Sequence, residues 1–275
     1  MDLYCVMGNP VAHSKSPWIH ARFAELTGQT LQYGKRLIAL DGFAPAVEAF
    51  IQEGGRGCNI TVPFKFDAAA LATRTSARAT LAQASNTLSF RDGAILADNT
   101  DGAGLVNDIQ RNAGLDLRGR DVLLIGAGGA AAGVVGPLLQ ASPASLTITN
   151  RTLAKATALA ARHADLALLQ KTELKAQDLQ GLQGSFDVII NASTSSLNGA
   201  AVPVPASTLK RGTLAYDMMY GPAAQGFMTW AREHGATPLD GLGMLVEQAA
   251  EAFLIWRDVR PPSQQVLTEL RALVA

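Results

Sequence analysis

The sequence predicts an α/β protein built as two domains. Three observations carry that reading. Short strand-like and helix-like segments alternate through the first third of the chain. The middle third has near-continuous apolar strands separated by helical stretches, as expected of a parallel sheet covered on both faces. A glycine-rich turn, "GAGG" at 126–129, joins the first of those strands to an alanine-rich helix start. At 275 residues the chain is long enough for two modest domains.

The elements follow in order. Residues 3–7 read as a strand ending at Gly8. Residues 17–27 read as a helix with Pro17 in its first turn and Ser16 as its N-cap. A second strand lies within 31–40, and helical spacing over 43–53 stops at Gly54-Gly55. Residues 57–62 form a third strand closed by Pro63, with a short helix over 66–72. Residues 86–91 and 94–98 read as a hairpin across Asp92-Gly93. Then come strands at 122–125, 145–151, 186–193 and 213–220, with helices between them. The end of the chain is helical over 244–256 and 263–273, broken by Pro261-Pro262. The change of rhythm puts a domain boundary near residue 102.

Composition narrows the function. An apolar fraction of 48% against 17% charged residues implies a packed interior. Net charge is zero, from 23 basic and 23 acidic residues, which argues against a nucleic-acid or anionic-membrane binder. Cys5 and Cys58 make neither a disulfide framework nor a zinc cluster, and the four histidines lack metal-ligand spacing, so no metal is expected. The start, "MDLYCVMGNP", has no signal-peptide pattern, and no apolar run reaches the length of a membrane span. The expectation is a soluble, cytoplasmic protein, monomer or homodimer, acting on a small molecule.

The glycine turn sharpens this. Gly126, Gly128 and Ala131 fit G-x-G-x-x-G/A between a strand and a helix. The first glycine permits the tight turn, the second lets backbone approach a pyrophosphate, and the small third residue lets helix pack on strand. This predicts a Rossmann-type domain. The end of the next strand carries Asn150, Arg151 and Thr152, with Lys155 beyond, and no carboxylate for a ribose 2′-hydroxyl. Arg151, Thr152 and Lys155 suit a 2′-phosphate instead, which favours NADP over NAD.

Other polar stretches sit where strands end: Ser14 and Ser16 in "NPVAHSKSP", Asn59, Thr61 and Lys65 in "NITVPFK", Asn86 in "SNTL", and Asp98, Asn99 and Asp101 in "DNTDG". Hydroxyls, amides, one lysine and one carboxylate suit a polyhydroxylated substrate. Oxidising a secondary alcohol needs a proton acceptor near the reacting oxygen, for which Lys65 and Asp101 are the candidates. Each stretch also reads alone as turn or cap chemistry, and His13 reads as a loop residue.

Together, "GNPVAHSKSP", "NITVPFK", "NTL", "DNTDG", "GAGGAAAG", "NRT", "YDMMYGP" and "DGLGMLVEQAAEAF" resemble the shikimate dehydrogenase family, in the family's order and over nearly the whole chain. The resemblance implies reversible NADPH-dependent reduction of 3-dehydroshikimate to shikimate. It also implies a substrate-binding domain over 1–102, completed by returning helices over 241–275, a Rossmann NADP domain over 103–240, and a cleft between them. Carried over by position, Ser14 and Ser16 hold the substrate carboxylate, and Thr61, Asn86, Asp101 and Gln248 bond ring hydroxyls. Lys65 and Asp101 are the catalytic pair, and Tyr220 lines the substrate side. Gly126, Ala127, Gly128, Gly129 and Ala130 form the pyrophosphate loop. Asn150, Arg151, Thr152 and Lys155 clamp the 2′-phosphate, with Met218 and Gly241 near the nicotinamide. Three departures from the family's pattern stand out: "QASNTL" where "GAVNTL" is common, Lys155 where arginine is common, and the loop "NASTSSLNG". Two alternatives stay open, a broader quinate/shikimate dehydrogenase and a non-catalytic nucleotide-sensing module.

Overall fold

The computed structural model describes residues 1–193 and 202–274. In chain order the first elements are β1 (Asp2–Gly8), α1 (Ser16–Thr27), β2 (Leu31–Leu37), α2 (Phe43–Gln52), β3 (Gly55–Ile60) and α3 (Lys65–Leu71). Next come β4 (Arg74–Thr75), α4 (Ala77–Ala82), β5 (Thr87–Arg91), β6 (Ala94–Asp98) and α5 (Asp101–Asn107), then a π-helical turn, Asp108–Asn112. There follow β7 (Asp121–Ile125), α6 (Gly129–Gln140), β8 (Ser145–Asn150), α7 (Leu153–Arg162), α8 (Ala164–Gln170) and β9 (Glu173–Asp178). The last are β10 (Phe186–Asn191), β11 (Leu209–Asp217), α9 (Gln225–Glu233), β12 (Thr237–Leu239), α10 (Leu242–Arg257) and α11 (Ser263–Val274). The chain divides into two compact units, Met1–Gly104 with Leu245–Ala275, and Leu105–Met244. Among the described residues no helix is long and apolar enough to cross a membrane.

The first unit is built on a sheet of order β2-β1-β3-β5-β6-β4. β1 runs parallel to β2 and β3, β4 runs parallel to β6, and the pairs β3–β5 and β5–β6 are antiparallel. Side chains alternate across a strand, so "YCVM" in β1 serves two cores. Cys5 and Met7 join Phe43, Val47 and Phe50 of α2 and Ala68 of α3 on one face. Tyr4 stacks on Trp256 of α10 on the other, with ring centroids 4.6 Å apart. A strand buried on both faces reads as a continuous apolar run. The hairpin β5–β6 turns through Asp92 and Gly93, both at positive φ, the conformation that a two-residue turn matching strand twist requires. α11 is tied to α1 by a forked pair in which Arg22 donates to both carboxylate oxygens of Glu269, at 2.7 and 2.9 Å.

The second unit carries a sheet of order β12-β11-β10-β7-β8-β9, parallel throughout. From β7 the chain steps outward to β8 and β9, then returns to β10 and steps outward the other way. The switch between β7 and β10 leaves a crevice beyond their C-terminal ends, where ligands bind in open α/β sheets. The central strands are sealed: Val122, Leu123, Leu124, Val188, Ile189 and Ile190 are fully buried.

The third strand is displaced from the sequence reading. β3 spans Gly55–Ile60, because the chain turns at Thr61, whose carbonyl accepts from Phe64 N–H, while Asn9 N–H takes the Val62 carbonyl. β9 escaped notice because "ELKAQD" is a polar edge strand paired only to β8. β4, α4 and α5 are too short for a clear periodic signal.

Gly57 marks a tight point of the first core. A Cβ there would lie 2.6 Å from the Leu88 carbonyl oxygen and 2.6 Å from Trp256 Nε1. Those two atoms share one hydrogen bond, which the indole N–H donates to the carbonyl at 3.1 Å. Gly57→Ala is expected to destabilise the protein by about 1–3 kcal/mol, read as a fall of several degrees in Tm with loss of near-ultraviolet dichroism from Trp256. An unchanged Tm would contradict this packing.

Candidate active site

Four separate elements of the first unit bring their polar ends together. Lys65 is the first residue of α3, Asp101 opens α5, Asn86 immediately precedes β5, and Gln248 lies on α10. Lys65 Nζ donates to Asp101 Oδ2 at 2.5 Å, with the two side chains only 14% and 6% exposed. Asn86 Nδ2 faces Asp101 Oδ1 at 2.9 Å, Thr100 Oγ1 at 2.9 Å and Gln248 Oε1 at 3.2 Å. Its Oδ1 accepts from the Thr100 N–H at 2.8 Å and the Thr87 hydroxyl at 3.0 Å. Reversing the amide would set oxygen against carboxylate and N–H against N–H, so its orientation is forced. Gln248 Nε2 donates to the Leu245 carbonyl at 2.7 Å. Taking an ion pair out of water is costly unless its remaining valences are met; here an amide meets one of them.

The motif "DNTDG" supplies this geometry locally. Asn99 Oδ1 accepts the Asp101 N–H at 3.1 Å, and its Nδ2 donates to the Ala84 carbonyl at 2.8 Å. Asn99 thus does the turn chemistry and leaves the Asp101 carboxylate for Lys65. Asp98 is held by Arg78, which donates at 2.6 and 3.1 Å, and Arg78 also reaches Glu251 on α10 at 3.4 Å. Burial alone would raise Asp98, but Arg78, the Ser76 hydroxyl and the Asn99 N–H together hold it below the ordinary carboxylate value.

Ser16 does not cap α1. It is the first helical residue, Lys15 occupies the cap position without a side-chain bond, and the Ser16 N–H donates to Ser14 Oγ at 3.3 Å. Pro17 needs no donor partner there, so the helix starts one residue earlier than the cap reading placed it. Ser16 is buried and Ser14 half-buried. Among the described residues no hydrogen bond joins Ser14, Ser16 or Thr61 to Lys65 or Asp101.

In the second unit Gly126 follows β7 at φ +117, where a Cβ would press on the Ala192 carbonyl oxygen at 3.0 Å. α6 begins at Gly129, with Gly128 as an N-cap lacking any side-chain bond and no acidic residue in the first turn. A Cβ at Gly128 would meet only open space. Its first amides therefore face an open cradle at the positive end of a buried helix, which fits a pyrophosphate. At the end of β8, Arg151, Thr152 and Lys155 are exposed around the start of α7, whose first turn also lacks an acidic residue. Asn150 Nδ2 donates to the Thr152 carbonyl at 3.0 Å and shapes that turn. This donor set fits a 2′-phosphate better than a ribose hydroxyl.

Met218 and Gly241 are neighbours: the Gly241 backbone packs so closely on the Met218 carbonyl that no side chain fits, and Gly241 N–H donates to Met219 O at 2.9 Å. Asp217, fully buried, holds the turn by accepting from Met219 N–H at 2.9 Å and Asn191 Nδ2 at 3.1 Å. The sequence reading missed Asn191 and Asp217; the available signal was two polar residues ending adjacent apolar strands. Tyr220 belongs to this unit, at the start of the turn Gly221–Ala224. The loop "NASTSSLNG" lies outside the described residues beyond Ser193.

Three family models and several curated and solved proteins match the chain. Residues 6–88 match the family model for the shikimate dehydrogenase substrate binding domain, 108–200 that for shikimate / quinate 5-dehydrogenase, and 241–271 that for the shikimate 5′-dehydrogenase C-terminal domain. The chain is 68% identical over 274 residues to shikimate dehydrogenase (NADP(+)) of Acidovorax sp. strain JS42, covering 100% of this chain and 97% of that one. Among solved structures, the Ael1 enzyme of Pseudomonas putida is 47% identical with a TM-score of 0.89, covering 98% of each chain. Shikimate 5-dehydrogenase of Thermus thermophilus, solved with NADP(H) and shikimate, is 29% identical with a TM-score of 0.86, covering 99% of each chain.

The Asp98 pairing gives an acid-side prediction. Its lowered folded pKa means its contribution is complete above the ordinary value near 4 and is lost as pH falls through the folded one. Arg78→Met is expected to cost about 2 kcal/mol in urea unfolding at pH 7, and the gap to wild type should narrow below about pH 4. A gap that stays constant to about pH 3 would show that the pair does not supply it.

Proposed function

The chain belongs to the shikimate dehydrogenase family, and from that premise we propose that it catalyses the reversible NADPH-dependent reduction of 3-dehydroshikimate to shikimate, in the cytoplasm, as a step of aromatic amino acid biosynthesis. The observation that carries the reading is the enclosed Lys65–Asp101 pair with Asn86 and Gln248 around it.

NADP, when bound, supplies or accepts the hydride; Gly126–Ala130 and the Asn150–Lys155 turn would hold it, with Met218 and Gly241 toward its nicotinamide. Everything else falls to the protein's own groups. In the reduction direction the ion pair as it stands is the reactive protonation state. Lys65 Nζ carries the proton that the developing alkoxide at C3 takes up. Asp101 keeps the ammonium in place through Oδ2, and Asn86 fixes its other oxygen. In the oxidation direction Lys65 starts as the neutral amine that the reduction leaves and takes up the hydroxyl proton. Ser14 and Ser16 would hold the substrate carboxylate, Thr61, Asn86, Asp101 and Gln248 its ring hydroxyls, and Tyr220 would line the same substrate.

NADPH formation from shikimate tests the activity, with quinate and NAD as the competing pair. A quinate rate equal to that for shikimate would favour the broader dehydrogenase, and cofactor binding without turnover would favour a sensing module. Lys65→Ala is expected to lower kcat about 10²- to 10⁴-fold with a modest change in KM; intact kcat with a raised KM would reduce Lys65 to a binding role. Arg151→Ala should raise KM for NADP about 10- to 100-fold and leave KM for NAD nearly unchanged. Equal effects on both cofactors would remove Arg151 from the 2′-phosphate site.

A further inference from the structure

We propose that Tyr33 is a positioning residue for the Lys65–Asp101 pair, acting through a one-way chain of hydrogen bonds across the sheet of the first unit. The proposal rests on the catalytic assignment of Lys65 and Asp101.

The chain of bonds starts at the far side of the sheet. The Tyr33 hydroxyl, on β2, donates to Asn59 Oδ1 on β3 at 2.7 Å. Asn59 Nδ2 donates to Thr87 Oγ1 on β5 at 3.1 Å and to the Asn86 carbonyl at 3.2 Å. Thr87 donates to Asn86 Oδ1 at 3.0 Å, and Asn86 Nδ2 donates to Asp101 Oδ1 at 2.9 Å. Lys65 closes the series on Asp101 Oδ2 at 2.5 Å. Asn59, Asn86, Thr87 and Asp101 are all buried, so none can turn to water for a replacement partner.

Donor and acceptor identities make the chain directional. Each side-chain amide has one accepting and one donating end. Tyr33 occupies the accepting end of Asn59 and commits its donating end to Thr87. Thr87, having accepted, passes its single proton to Asn86 Oδ1 at 3.0 Å, the shorter of its two contacts, the other being Thr100 Oγ1 at 3.4 Å; together with the Thr100 N–H at 2.8 Å this holds the Asn86 donors toward Asp101. Tyr33 itself is well held. His20 stacks on its ring at 4.2 Å between centroids and 5° between planes. His20 is fully buried, and burial pushes its pKa down to about 3 against a smaller opposing effect of the Asn59 side chain beside it. The histidine therefore contributes a neutral flat surface. Burial also raises Tyr33 well above the ordinary tyrosine value, so it remains a donor at every assay pH. The Ser16 hydroxyl also lies at the Tyr33 hydroxyl, and it supplies the rival role: Tyr33 as a support for Ser16 alone.

The test is steady-state oxidation of shikimate with NADP by the full chain. Tyr33→Phe keeps the stack on His20 and removes one oxygen; Thr87→Val removes one hydroxyl in place. Each should lower kcat about three- to tenfold with KM within about twofold. Thr87→Ser should restore most of the loss. The double variant Y33F/T87V should be no slower than the slower single variant, because both cut the same series. A wild-type kcat in Tyr33→Phe, multiplying effects in the double variant, or a raised KM with intact kcat would each overturn the proposal, the last by assigning Tyr33 to Ser16. If Tyr33→Phe does not fold by circular dichroism, the comparison of Thr87→Val with Thr87→Ser still decides: equal rates would overturn it. Lys65→Ala is run alongside. Should it retain kcat, the catalytic assignment itself fails; should it be inactive while Tyr33→Phe is wild-type, only the relay fails.

Discussion

A buried primary amide has two ends that cannot be exchanged, and the first unit is arranged around that constraint at Asn86. Its oxygen is claimed by a backbone N–H from the Thr100 peptide and its nitrogen by a carboxylate. The first claim depends on the turn that "DNTDG" makes, the second on where α5 begins. Moving either would leave a polar atom unpaired in a place water does not reach. Each such atom costs about 1–3 kcal/mol, a sizeable share of a domain's stability margin. The charge pair beside it is kept in place by the same requirement, since a carboxylate at 6% exposure needs its second oxygen met.

The second unit depends on a different constraint, the close approach of backbone to backbone. At Gly126 and again at Gly241 a neighbouring carbonyl stands where a Cβ would be. These contacts, with the bond that the Asn191 amide donates to Asp217, bring the ends of β7, β10 and β11 together. What remains there is amide N–H at the start of α6, a surface that recognises phosphate by dipole and donor geometry. In the proposed function the basic residues after β8 are the ones that discriminate between cofactors.

Much of this was legible in the sequence, and the reason is local. The strand–turn–helix at 121–140 announces itself because glycine spacing, apolar strand and small-residue helix start coincide within one segment. Asp92-Gly93 does the same for the hairpin. Lys65 was conspicuous as a lysine beside apolar neighbours, yet nothing local says that it meets Asp101; that contact spans 36 residues and is fixed by two helix starts. Asn59 read as a residue offered to a ligand, but Tyr33, Asn86 and Thr87 use both of its ends. Arg78 carried no motif at all, because its partners lie on β6 and α10. Ser16 shows the reverse failure: a strong local cap signal was overruled by the preceding serine, whose oxygen takes the Ser16 N–H.

The first unit is discontinuous in sequence, needing both Met1–Gly104 and Leu245–Ala275, while the second is one uninterrupted segment. During synthesis on the ribosome the order of completion is therefore reversed relative to the order of appearance. Residues 1–104 emerge first, but Tyr4 waits for Trp256, Asn86 for Gln248 and Arg22 for Glu269. Residues 105–244 can close their core as soon as they are out. The nascent first unit thus carries an uncovered sheet face until α10 and α11 have been made.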